Sequence, residues 1–341
     1  MNFGVLSTAN IGRAAVVPAI RETDHDLLAV ASRDADSAEA FADEFGIPRA
    51  YGSYDELLAD DELDAVYNPL PNALHAEWTK KAADAGLHIL CEKPLAVDAA
   101  EAREVGEYCD ERGVTLMEAF MYRYHPRTER VAEIVREELG EVRSVKSTFQ
   151  FPMDDPENVR LDPDLAGGSL MDVGCYAVSA ARLLLGEPDR AYATTHDAGD
   201  YGVDTKLAGV LEYDGGPNAG NASGKTSVGA GATAEVSCGF ETHDTQWYRV
   251  EAEDGWLEAR GAFVPRGDDG VEIEYEVDGR HAVETFDPTD QYRLEVDHFA
   301  ACVESGESPR TDADEAVRNM ATIDALYESA ERGESVAVER P

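Results

Sequence analysis

Lys93 stands at the end of the apolar run Leu87-His88-Ile89-Leu90-Cys91, within Glu92-Lys93-Pro94. A short apolar run bounded in this way reads as a buried strand. A lysine at its C-terminal tip puts a cation at the carboxyl edge of a parallel sheet, where open α/β folds bind ligands. Pro94 lacks a backbone donor and restricts Lys93 to an extended conformation. Strand ends carry Lys and Pro by chance as well, so the motif takes its weight from its surroundings.

Three other segments carry binding chemistry. Ser7-Thr8-Ala9-Asn10-Ile11-Gly12 lies where a dinucleotide fold carries G-x-G-x-x-G, but only the third glycine is present. Ser7 and Ala9 are still small, which lets the backbone approach a pyrophosphate at the start of a helix. Ser7, Thr8, Ala9, Asn10 and Ile11 are therefore candidate cofactor contacts. Ser32-Arg33-Asp34 ends the second apolar run. An NAD site wants an acid at that tip; Ser32 and Arg33 suit a 2'-phosphate, so NADP is expected over NAD. Asp34 either turns outward or caps the next helix. In Asn68-Pro69-Leu70-Pro71-Asn72-Ala73-Leu74-His75 two prolines fix an extended path. Asn72 is expected to cap the following helix, and Asn68 to reach a ribose or nicotinamide. Pro69, Leu70, Asn72, His75, Glu92 and Lys93 complete the candidate cofactor wall.

These residues need a scaffold that gathers strand tips on one edge. The first ~120 residues alternate strand and helix, which builds a doubly wound parallel sheet. Predicted strands run over 2–7, 27–32, 50–52, 64–67, 87–91 and 115–119, with helices over 11–21, 35–45, 54–58, 73–85 and 99–112. After Tyr124 the pattern changes. Helices over 127–138 and 169–185 accompany eight strand-like runs that follow one another without intervening helices, and two helices, 291–305 and 313–332, close the chain. The reading is an α/β Rossmann domain over 1–122, followed by an α+β domain over 123–341 with a large, mostly antiparallel open sheet. Asp214 to Ala230, rich in Gly, Ala, Ser and Asn, reads as a surface loop within a hairpin.

Composition limits the partners. The chain of 341 residues holds 70 acidic and 29 basic residues, a formal net charge of -41. Without a polybasic patch, nucleic acid and anionic membranes are not expected partners. Hydrophobic content of 43% marks a folded chain rather than an acidic disordered one. Lysines are few and the acids are spread evenly, which suits a surface in multimolar salt, where screening removes self-repulsion. The odd set Cys91, Cys109, Cys175, Cys238 and Cys302 shows no C-x-x-C and reads as buried reduced thiols. The histidine spacing predicts no metal site. No signal peptide and no apolar stretch near 20 residues is read, so a cytoplasmic protein is expected.

The ordered set of motifs resembles the glucose–fructose oxidoreductase and inositol dehydrogenase family. It comprises the 7–12 turn, Asn68-Pro69-Leu70-Pro71-Asn72 with His75, Glu92-Lys93-Pro94, Glu118-Ala119-Phe120-Met121-Tyr122-Arg123-Tyr124-His125-Pro126, and Gly167-Gly168-Ser169-Leu170-Met171-Asp172-Val173-Gly174-Cys175-Tyr176. The resemblance covers nearly the whole chain. Asp172-x-Gly174-x-Tyr176, with Tyr where inositol dehydrogenases have His, looks most like the branch of NADP-dependent D-xylose dehydrogenases and dimeric dihydrodiol dehydrogenases.

The resemblance implies a mechanism. Tyr176 takes the proton of a sugar hydroxyl while hydride passes to NADP, and Asp172 holds a neighbouring hydroxyl. A free tyrosine titrates near ~10, and the Lys93 ammonium would favour its phenolate. A cis Lys93–Pro94 bond is implied too, and Gly167-Gly168 would let the helix start close to the cofactor. Without the family pattern, Tyr176 reads first as a core tyrosine on an amphipathic helix. Arg123 and His125 either line the substrate cleft or pair with the abundant acids; Glu118 is placed at the floor of the site. Expected function is oxidation of the C1 hydroxyl of an aldose, with D-xylose the first candidate. Alternatives are a dihydrodiol or carbonyl oxidoreductase of the same family, or a non-catalytic NADP-binding sensor. One face of the second domain's sheet is left for a homodimer or homotetramer interface.

Overall fold

The computed structural model describes residues 1–215, 228–265 and 271–340. It forms two compact units: Met1–Tyr124 with Asp290–Val317, and His125–Thr289 with Arg318–Pro341.

In the first unit the strands β1 (Asn2–Leu6), β2 (Asp26–Ala31), β3 (Arg49–Tyr51), β4 (Ala65–Asn68), β5 (His88–Glu92) and β6 (Leu116–Ala119) form one sheet. Their order is β3-β2-β1-β4-β5-β6, and every pairing is parallel. This is the doubly wound order whose reversal lies between β1 and β4, so the tips of β1, β2, β4 and β5 surround the ligand edge. Helix boundaries follow local chemistry. Asp34 and Asp98 cap the helices Ala35–Phe45 and Ala99–Arg112, and Gly46 and Gly113 end them in the left-handed conformation.

The chain division differs from the sequence reading, which gave the last helices to the second domain. Asp290–Val317 belongs to the first unit. The helix Gln291–Ser305 buries Val296 and Phe299 in the same cluster as Phe3, Val5, Tyr67 and Leu90. The Phe3 and Phe299 rings lie 6.0 Å apart. Burying two such side chains is worth about 2 kcal/mol each, a gain that sequence proximity does not reveal.

In the second unit lie β7 (Val142–Gln150), β8 (Arg190–His196), β9 (Lys206–Tyr213), β10 (Val228–Gly239), β11 (Thr245–Ala252), β12 (Gly255–Arg260), β13 (Val271–Val277), β14 (Arg280–Phe286) and β15 (Val336–Ala337). The order is β14-β13-β12-β11-β7-β10-β9-β8-β15. Among the described residues only β7 and β10 pair in parallel; the remaining pairs are antiparallel. The short β15 has no sequence signal of its own. Of the expected loop Asp214–Ala230, residues 216–227 lie outside the described residues, and Val228 to Ala230 already belong to β10.

The helix Cys175–Leu185 is buried along almost its whole length. The longer stretch Pro163–Leu185 that contains it is long and apolar enough to cross a membrane, which the sequence reading missed, but 89% of its most apolar window is buried in the fold. The core of this unit therefore accounts for its apolarity. All five cysteines are buried, and none forms a disulfide.

Candidate active site

The turn after β1 is built around a strained serine. Ser7 has φ 133, a region that favours glycine, so it holds a glycine's conformation where the first fingerprint glycine would stand. Its Oγ accepts from Ala9 N at 3.0 Å, which offsets part of that cost. Arg13 N donates to Ala9 O at 3.1 Å, so the helix opens directly after the small residue. Gly12–Val16 then forms a π-turn, a wide turn that recurs at functional sites. At the tip of β2, Asp34 is withdrawn: its Oδ1 accepts from Ser37 N at 2.8 Å, and that bond holds its carboxyl below the usual range. The N-cap alternative for Asp34 is thus the one observed. Exposed Arg33 and partly exposed Ser32 remain at the tip. A small turn, a helix start and a guanidinium beside a hydroxyl fit the pyrophosphate and 2'-phosphate of NADP.

Around Lys93 the structure assigns bracing roles. The Lys93–Pro94 bond is cis, as the resemblance implied. Tyr67 Oη donates to Glu92 Oε1 at 2.6 Å. Leu95 N donates to Glu118 Oε1 at 2.8 Å, and Thr311 Oγ1 donates to Glu118 O at 2.6 Å. His75 places Nδ1 2.8 Å from Pro94 O and Nε2 2.7 Å from Leu70 O. The residues on either side of Lys93 are therefore pinned through Tyr67, His75 and Glu118. Glu118 anchors the loop that bears the lysine.

His75 and Asn68 were expected to touch the cofactor; both are fully buried. Asn68 spends its carboxamide on its own loop and the first turns of the following helix, donating to His75 O at 3.4 Å and Thr79 Oγ1 at 3.3 Å and accepting from Leu70 N at 3.3 Å. Burial pushes the His75 pKa down to about 4, against the pull of its two carbonyl partners. Pro69 and Leu70 are buried beside them. Asn72 opens the short turn Asn72–Leu74, and neither that turn nor the helix His75–Asp84 carries a side-chain cap, so the capping expectation for Asn72 does not hold. Ser7, Thr8, Ala9, Asn10, Ile11, Asn72, Glu92 and Lys93 keep part of their surface open.

Arg123 and His125 take structural partners. Arg123 Nη1 lies 3.1 Å from Glu315 Oε1, and both side chains are largely buried. His125 caps the helix Pro126–Glu137, its Nδ1 accepting from Arg127 N at 3.0 Å. Burial, and then the charge of Arg127, push its pKa down to about 4. Of the two alternatives left open in the sequence, acid pairing describes Arg123; His125 caps a helix, a role the sequence reading did not offer.

In the second unit Asp172 lies in a π-turn, Leu170–Gly174, that runs into the helix Cys175–Leu185 and its Tyr176. Four residues still bring the two side chains about one turn apart. The Tyr176 ring packs on Phe149 and Phe263, with centroids at 5.6 and 5.5 Å. Arg160 Nε donates to Asp172 Oδ2 at 2.7 Å. Sequence reasoning missed Arg160 and Tyr67, which stand outside any motif and reach their partners only through the fold. The glycine pair serves packing within this unit. A Cβ on Gly167 would lie 2.4 Å from Arg160 O, and one on Gly168 2.4 Å from Asp204 Oδ1. An open groove of about 610 Å³ on the sheet, beside Trp247, Arg249 and Arg260, is lined by none of these candidates.

Comparison with known proteins identifies the family and the fold. A model of the oxidoreductase family with an NAD-binding Rossmann fold matches residues 1–120, and the GFO/IDH/MocA C-terminal domain model matches residues 128–258. The chain is 57% identical over 340 residues to D-xylose 1-dehydrogenase (NADP(+)) 2 of Haloferax volcanii, covering 99% of this chain and 100% of that one. Among solved structures, a 3-ketoreductase from Actinomadura kijaniata in complex with NADP and TDP-benzene superposes with a TM-score of 0.86 at 31% identity, covering 96% of this chain and 97% of that one. An aldose–aldose oxidoreductase from Caulobacter crescentus, complexed with glycerol, gives 0.87 at 28% identity and covers 99% of each chain.

Proposed function

This chain belongs to the GFO/IDH/MocA family of oxidoreductases and uses NADP, and on that premise we propose that it oxidises the C1 hydroxyl of an aldose, D-xylose first, to the lactone. The observation that carries the reading is the full-length similarity to an NADP-dependent D-xylose dehydrogenase at 57% identity. Bound NADP supplies the hydride acceptor. Ser7 to Ile11 and the following helix hold its pyrophosphate, and Ser32 with Arg33 holds the 2'-phosphate. Tyr176 takes the proton of the reacting hydroxyl. Lys93 hydrogen-bonds the same oxygen, and its charge favours the phenolate. Asp172, oriented by Arg160, accepts from a neighbouring hydroxyl.

The acid-rich, lysine-poor surface supports work in a concentrated-salt cytoplasm. The open face of the second unit's sheet supports a homodimer or homotetramer. A panel of aldoses assayed with NADP and NAD in multimolar KCl tests the assignment. D-xylose is expected to give the highest kcat/KM with NADP. Absence of turnover with every aldose would replace it with a dihydrodiol or carbonyl oxidoreductase, or with an NADP-binding sensor if no carbonyl substrate turns over either.

A further inference from the structure

The helix that carries Asp172 and Tyr176 is capped from a distant part of the chain. Ser169, just before the π-turn, makes no side-chain cap of its own. Its Oγ donates instead to Asp204 Oδ2 at 2.6 Å, 35 residues along the chain. Leu170 N donates to the same oxygen at 2.9 Å. Tyr327 Oη, on the helix Ala313–Arg332, donates to Asp204 Oδ1 at 2.7 Å. The main chain joins in, with Ser169 N donating to Asp204 O at 2.7 Å. Asp204 is only 6% exposed. Gly168 has φ +116, and a Cβ there would meet Asp204 Oδ1 at 2.4 Å and Tyr327 Oη at 3.0 Å, so the approach requires glycine. Three donors converge on one buried carboxylate at the positive end of a helix, where charge-assisted bonds and the helix dipole act together.

We propose that Asp204 is a positioning residue for the reaction, fixing the turn that bears Asp172 and, one turn on, Tyr176. This rests on the aldose dehydrogenase reading above. A reacting group displaced by about 1 Å loses on the order of 100-fold in rate, so a helix start held by two bonds to a carboxylate that Tyr327 fixes with a third has a kinetic consequence. The carboxylate also carries a burial cost. Burial raises the Asp204 pKa, with its donors pulling the other way, so the ionised form is held at some expense to the fold. D204N removes the charge and keeps the shape. It is expected to melt close to the parent while its helix start loosens. A purely stabilising residue would behave in the opposite way, with a lower Tm and unchanged kinetics per folded site.

The test compares the parent, D204N and Y327F in multimolar KCl. Amide exchange over residues 170–176 is read by mass spectrometry, with Tm and with kcat and KM expressed per NADPH-binding site. In D204N, exchange is expected to be roughly tenfold faster and kcat roughly tenfold lower or more, with NADPH affinity within about twofold of the parent. Y327F, which loses one of the three donors, should move the same way by less, and it decides the question if D204N fails to fold. Parental exchange over 170–176, or a parental kcat per site, overturns the proposal. A parent with no aldose turnover overturns the sugar assignment instead, because the exchange measurement needs no substrate.

Discussion

Neutral His125 makes the second unit sensitive to acid, and the size of the effect follows from its surroundings. Its Nδ1 must keep a lone pair to accept from Arg127 N. Protonation would set an N–H against that donor and place a second buried charge beside Arg127, which is itself buried. The folded-state pKa is pushed from 6.5 to about 4. The unfolded chain therefore binds the proton more readily, and stability is lost as pH falls from 6.5 toward 4. The shift converts to about 3 kcal/mol when complete, of which about 2 kcal/mol is already lost at pH 5. H125N supplies an oxygen that can cap the same helix and does not titrate. It gives up the edge-on contact with Phe286, a cost of about 1 kcal/mol that does not vary with pH. Denaturant titrations of both proteins between pH 8 and 4 in constant high salt are the assay. The parent should lose about 2 kcal/mol more than H125N between pH 8 and pH 5. His75, whose pKa is depressed in the same direction, is present in both proteins and cancels in the difference. Parallel pH curves for the two proteins would refute the reasoning.

Other perturbations read the proposed roles. Tyr176→Phe is expected to lower kcat by about two orders of magnitude or more while NADPH still binds, since it removes the proton acceptor; fluorescence titration and initial rates check both halves. Arg33→Ala should raise KM for NADP about tenfold or more and leave KM for NAD nearly unchanged, because only the 2'-phosphate loses a charge-assisted partner; equal effects on both cofactors would argue against that assignment. Transfer from multimolar KCl to dilute buffer should unfold the chain, measured by circular dichroism, since a net charge of -41 is then unscreened.

Much of this molecule is written in local pattern. The strand–helix alternation and the eight runs of the second sheet depend on neighbours within a few residues, and residue period is enough to read them. Lys93 and Tyr176 were found in the sequence as members of ordered motifs, and the roles proposed for them still rest on that order. What the tertiary structure decided are the partners that lie far apart in the chain. Residues 290–317 join the first unit because Val296 and Phe299 find apolar surface beside β1. Asn68 and His75, polar residues in a loop that reads as a ligand wall, are buried and brace that wall from behind. Asp172 is held by Arg160, 12 positions away, and its helix is held by Asp204. A short polar side chain carries the same local signature whether it meets a ligand, a carbonyl or a helix end. Only the packing around it fixes which of these satisfies its hydrogen bonds.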